Sequence, residues 1–99
     1  MTSITADTTV AAATETVSTE LDGERVLLNI DTGMYHGMNA VGADIFELLE
    51  HPTSVAELSK TISERYDVDQ ERAEADVRAF LDSLLEAELA EVRHSTPTS

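Results

Sequence analysis

The sequence predicts an α+β domain of winged helix-turn-helix type, a three-stranded antiparallel β-meander followed by three α-helices. Two observations carry this. The hydrophobic period switches once along the chain, from about two residues before Asn39 to about 3.6 after it. The strand-like part is cut by Asp22-Gly23 and Asp31-Thr32-Gly33, residue types that tolerate the positive φ of tight turns. A run of strands followed by a run of helices indicates α+β. A helix, a turn and a longer helix beside a small hairpin is the winged helix-turn-helix arrangement.

Residues 1–13 are rich in Thr, Ala and Ser, with Ile4 and Val10 as isolated large apolar side chains, and are expected to form a disordered tail. The domain is expected over residues 14–92, and residues 93–99 as a second disordered tail. Residues 14–21 alternate weakly and form the first strand. After the Asp22-Gly23 turn, residues 25–30 form the second, with Val26, Leu28 and Ile30 on one face and Leu27 on the other. Residues 34–38 form a short third. Asn39 then caps a helix carrying Val41, Ile45, Leu48 and Leu49, which stops at His51-Pro52 because proline disfavours helical geometry before it. Ser54 and Glu57 are spaced as a capping box. That box opens a helix with Val55, Leu58, Ile62 and Tyr66 on one stripe. Asp69 caps the last helix, whose apolar face is Ala73, Val77, Phe80, Leu81, Leu84 and Leu85. Residues 89–92 close the fold as a short strand or a last turn.

Composition removes several functions. The 99 residues suffice for one domain. No cysteine occurs, so there is no disulfide framework, thiolate nucleophile or cysteine-based zinc site. No apolar run reaches the roughly 18 residues that span a membrane, and residues 1–7 lack the charged start of a secretory signal. The expectation is a soluble, cytoplasmic protein without a membrane partner. Twenty acidic residues against six basic ones give a net charge of −14. Such a field repels nucleic acid and attracts basic partners; it equally serves as a solubilising surface suited to high salt.

No catalytic constellation emerges. His36, His51 and His94 are scattered without ligand spacing, the four glycines do not cluster into a phosphate loop, and no carboxylate pair is set apart from the others. Residues 67–71 begin like a calcium loop, but Arg72 stands where glycine is required. Asp82-Ser83-Leu84 is the tripeptide on which acyl carrier proteins bear phosphopantetheine. Ser83, however, sits inside an amphipathic helix rather than at a helix start. The expected last helix carries Asp69, Glu71, Glu74, Asp76, Asp82 and Glu86 against Arg72 and Arg78, which excludes it as a DNA-reading helix. The expectation is therefore a non-enzyme without metal or cofactor. What remains is an interaction surface. The third strand leaves one edge unpaired, and such an edge accepts a guest strand, with the last helix walling the groove. Tyr35 and Met38 have opposite parity, so both face inward only if the strand bends near Gly37.

Several strings then carry a resemblance. Val26-Leu27-Leu28, Thr32-Gly33-Met34-Tyr35 and residues 38–49 (Met-Asn-Ala-Val-Gly-Ala-Asp-Ile-Phe-Glu-Leu-Leu) resemble the PqqD-like family. So do Ser54-Val55-x-Glu57-Leu58, Tyr66-Asp67-Val68-Asp69 and Asp76-Val77-x-x-Phe80-Leu81-x-x-Leu84. Departures are Met38 for the usual Leu, Phe46 for Trp, and Glu88 where Gly often precedes the last Leu. The resemblance covers about residues 15–92 and implies a RiPP recognition element, which binds the leader of a ribosomally made precursor peptide. It implies contacts from Met34, Tyr35, His36, Gly37 and Met38, and from Arg72, Ala75, Asp76, Ala79 and Phe80. It also implies partners: a leader peptidase and a cyclase, as in lasso-peptide pathways. Within the family the alternative is the peptide chaperone of pyrroloquinoline quinone synthesis, which acts with a radical SAM enzyme. The stretch 28–33 is more similar to the former.

Overall fold

The computed structural model describes residues 4–93, and within them the chain opens on a strand rather than a tail. Strand β1 (Thr9–Ala12) is central in a sheet ordered β5–β1–β6, antiparallel to β5 (Thr53–Ser54) and β6 (Ala90–Arg93). Val10 is fully buried, and Ile4 joins the same core. Residues 4–13 are thus part of the fold, which corrects the expected disordered tail. A four-residue strand is too short to display a period, and its partners lie more than forty residues away in sequence. At the other end Arg93 belongs to β6, and residues 94–99 of the expected second tail lie outside the described residues.

The meander follows as expected: β2 (Thr16–Leu21), β3 (Glu24–Asn29) and β4 (Tyr35–Gly37), in spatial order β2–β3–β4. Asp22 and Gly23 both adopt positive φ, 53° and 82°, so the hairpin closes in two residues. The core takes the face of β3 that carries Leu27 and Asn29, both buried, while Ile30 is left exposed. On the other face Val26 is buried as well, outside that core cluster, and Leu28 is half-buried.

Asn39 Oδ1 accepts the Gly42 amide at 2.8 Å and starts α1 (Ala40–Leu48). Ser54 Oγ accepts the Glu57 amide at 3.1 Å at the head of α2 (Val55–Tyr66), the first half of the expected capping box. Asp67, in the left-handed region at φ 54°, closes α2. Asp69 then occupies the N-cap of α3 (Gln70–Glu86) without a side-chain capping bond. Val55, Leu58 and Ile62 meet Ala73, Val77, Leu81 and Leu84 in one core with Leu27, Ile45, Leu49 and Leu89. The sheet β5–β1–β6 stands beside the expected elements, so winged helix-turn-helix describes this α+β fold only loosely.

Candidate functional site

The site is built around β4. Met38 N–H donates to Arg25 C=O, and Asn29 N–H donates to Met34 C=O, both at 2.9 Å. With His36 opposite Leu27, the even-numbered residues of β4 spend their backbone groups on β3. By the alternation of an antiparallel ladder, Tyr35 and Gly37 turn theirs outward. Among the described residues no further strand pairs with β4. Its edge offers the Tyr35 and Gly37 backbone groups to a guest.

Side chains alternate the other way. His36 points toward α3, where its ring meets Phe80 edge-on, with centroids 5.8 Å apart and planes at 82°. Its Nδ1 lies 2.6 Å from the Gly37 carbonyl oxygen and, since a carbonyl only accepts, carries the proton of that bond. Met38 packs half-buried against the core. Tyr35 is 66% exposed on the opposite face of the sheet. The strand does not bend to bring Tyr35 and Met38 together, and Tyr35 faces the edge with its backbone alone.

Helix α3 contributes one wall. Arg72, Ala75, Asp76, Ala79 and Phe80 fall on one face at helical spacing. Asp76, Ala79 and Phe80 line a cleft of about 310 Å³ with Asn39, Val41, Gly42 and Ile45. Arg72 lies outside this cleft and makes only an exposed 3.8 Å ion pair with Asp76. A second, more open hollow runs past the end of β4 between Gly37, Met38, Arg25 and the start of α1. Asn39 borders both hollows.

Gly42 and Asn29 were not singled out as site residues by sequence reasoning. A Cβ on Gly42 would stand 3.0 Å from Phe80 Cε1, so the glycine lets the ring settle against α1. Asn29 is buried and locks the β3–β4 turn: its Oδ1 accepts the Asp31 and Thr32 amides at 2.8 and 3.1 Å. Its Nδ2 donates to the Glu88 carbonyl at 2.7 Å, tying the turn to the end of α3. The signal for it was in the sequence, as Asn-x-Asp-Thr-Gly is a side-chain-stabilised turn. Ser83 lies within α3, its Oγ donating back to Ala79 C=O at 3.3 Å. Among the described residues no cluster of three His, Asp or Glu side chains is placed to hold a metal, and no helix is long and apolar enough to cross a membrane.

With this geometry in place, likeness to known proteins is informative. The sequence pattern of one family, coenzyme PQQ synthesis protein D (PqqD), matches residues 24–90. The chain belongs to the PqqD family. No curated protein shows significant sequence similarity to it. Among solved structures, this PqqD-family chain is similar to TbiB1, solved in complex with the TbiA(beta) leader peptide. Identity is 38%, with 86% of this chain and 99% of that one covered, at a TM-score of 0.71. It is also similar to lasso peptide synthetase B1 complexed with the leader peptide, at 28% identity, 83% and 96% coverage and a TM-score of 0.69. A PqqD truncation of Methylobacterium extorquens PqqCD, described as a stand-alone RiPP recognition element, shares the fold at 15% identity. There the coverage is 90% and 95% and the TM-score 0.73.

Proposed function

We propose that the chain captures the leader segment of a ribosomally synthesised precursor peptide and presents it to a leader peptidase and a cyclase of lasso-peptide biosynthesis. The observation that carries this reading is the open edge of β4 beside the Phe80 cleft. An extended peptide pairs with the outward backbone groups of Tyr35 and Gly37, which tolerates many sequences, and α3 with its cleft selects side chains. Met34, His36, Met38, Arg72, Ala75, Asp76 and Ala79 complete the proposed contact surface. The chain makes and breaks no bond. Its contribution is to raise the concentration of the core peptide at the enzymes that act on it. The charge of −14 speeds the approach of a basic leader and does so less in salt. The setting is the cytoplasm, where the precursor is made.

Lasso-peptide maturation is preferred over pyrroloquinoline quinone synthesis because the two neighbours with the higher identities are both leader complexes. A labelled lasso-precursor leader, titrated with the protein and followed by fluorescence anisotropy, tests the reading. Saturable binding is expected, and proline at Tyr35 should abolish it, because Tyr35 N–H faces the edge. Proline at His36 is the poorer probe, since it removes a bond inside the β3–β4 ladder. Absence of binding by the wild-type chain, or full binding by folded Tyr35→Pro, would refute strand addition at this edge.

A further inference from the structure

His36 is tied to the edge that a guest strand would use. The ladder turns the Gly37 carbonyl away from β3, so this oxygen is one of the groups that strand addition needs. It already accepts a hydrogen bond, from His36 Nδ1 at 2.6 Å. The same imidazole stands edge-on to Phe80, with ring centroids 5.8 Å apart. Phe80 in turn lies against Gly42 and lines the α3 cleft. One half-buried side chain thus touches both halves of the groove, the backbone edge and the side-chain cleft.

We propose that His36 is a latch on the β4 edge: its Nδ1–H holds the Gly37 carbonyl in the free chain, and an incoming strand displaces it. The displaced ring then resets Phe80 and the cleft. The inference rests on the leader-capture reading and deepens it, because it distinguishes the free and occupied states of that site. To continue the ladder, a guest N–H has to come within about 2.7–3.2 Å of the Gly37 oxygen. The imidazole already stands at donor distance from that oxygen, on the unpaired side of the strand. Rotation about the His36 side-chain torsions clears the oxygen without moving the backbone. That rotation also changes how the ring meets Phe80, whose place is tight: a Cβ on Gly42 would stand 3.0 Å from its Cε1. Pairing of the guest backbone and entry of a guest side chain into the cleft are therefore linked, with His36 as the positioning residue between them. A carbonyl oxygen has two lone pairs, so the competing arrangement is a shared oxygen with the imidazole left in place. The tautomer separates the two. The bond to Gly37 fixes the proton on Nδ1, and a ring released from it no longer has its proton held there.

Imidazole nitrogen shifts of the full chain, recorded by NMR at about pH 8 where an ordinary imidazole is neutral, read the tautomer. The His36 signals are assigned through its backbone, so this measurement needs no variant. The expected result is Nδ1–H in the free chain and loss of that signature as a lasso-precursor leader is added to saturation. His36→Phe keeps an aromatic ring beside Phe80 and deletes the donor. It should bind labelled leader about two- to tenfold tighter in anisotropy titrations, the span of one hydrogen bond. Nδ1–H retained in the saturated complex would overturn the latch, as would its absence from the free chain. Leader binding by folded His36→Phe that is no tighter than wild type would overturn it as well. Absence of binding by wild type and variant alike would instead refute leader capture, and the latch would fall with it.

Discussion

Replacing Asn29 by alanine removes three hydrogen bonds from the turn that presents β4. Two of them, from the Asp31 and Thr32 amides at 2.8 and 3.1 Å, shape the turn. The third, to Glu88 C=O at 2.7 Å, fixes that turn to the α3–β6 junction. Each is part-buried, so water replaces it incompletely. At about 0.5–1.5 kcal/mol per bond, with an added cost for each group left dry, the loss is roughly 2–4 kcal/mol. Against a total stability of about 5–15 kcal/mol this is a large fraction, and it corresponds to a fall in Tm of about 10–30 °C for a chain of this size. Urea titration by circular dichroism measures it, with an unchanged slope showing that the unfolded state is the same. Leader affinity measured below the melting transition should fall as well, because β4 loses its fixed distance from α3. A loss under about 1 kcal/mol, typical of an ordinary surface change, would refute the idea that Asn29 anchors the groove.

Deleting residues 1–13 removes buried Ile4, Val10 and Ala11 and the centre of the β5–β1–β6 sheet. At about 1.5–3 kcal/mol for each of the two large side chains, the truncated chain should lose its cooperative melting transition, as calorimetry would show. Glu88 occupies the left-handed region at φ 61° just past α3, so Glu88→Gly should raise stability by about 0.5–1 kcal/mol over Glu88→Gln, measured by urea midpoint. Gly42→Ala sets a Cβ 3.0 Å from Phe80 Cε1; the displaced ring should weaken leader binding in anisotropy titrations. Its stability should stay within about 1 kcal/mol of wild type, because alanine favours helix α1. The hydrogen bond from Tyr66 to Asp44 (2.6 Å), with burial and the Asp44 charge, raises the phenol above its ordinary 10.0, against a smaller opposing effect of Arg65. The folded state therefore holds this proton more tightly than the unfolded one. The stabilisation is complete below pH 10.0 and is lost as pH rises through the folded value; urea midpoints should decline there in wild type and less in Tyr66→Phe.

What could be read from the sequence is what local chemistry determines. Asp22-Gly23 dictates a two-residue hairpin because of φ, Asn39 and Ser54 mark helix starts because of their side-chain oxygens, and α3 shows its buried face at helical spacing. β1 was hidden because its four residues gain their burial only from strands far along the chain. The facing of β3 was hidden for a different reason. Val26, Leu28 and Ile30 outweigh Leu27 on any hydrophobic count, yet Asn29 must point inward to reach Glu88, and that fixes Leu27 on the core side with it. The candidate site divides the same way. The strand and the helix of the groove were legible, whereas the turning of Tyr35 away from α3 follows from strand parity once Leu27 is known to face the core.

An open strand edge is ordinarily a route to aggregation, and this chain leaves one beside an exposed apolar face. Three features offset the hazard. β4 is only three residues long, so a misplaced partner gains few backbone bonds. The His36 ring already occupies the Gly37 carbonyl at 2.6 Å, so an incoming strand must compete with a bond the chain makes to itself. The net charge of −14 opposes the approach of another copy. The first two act on any incoming strand; only the charge separates self-pairing from the proposed capture of a basic, extended peptide. Such a guest is attracted rather than repelled, and it gains the Phe80 cleft in addition to the edge. On the proposed leader-capture reading, the acidic composition leaves the edge open to a basic guest while opposing a second copy.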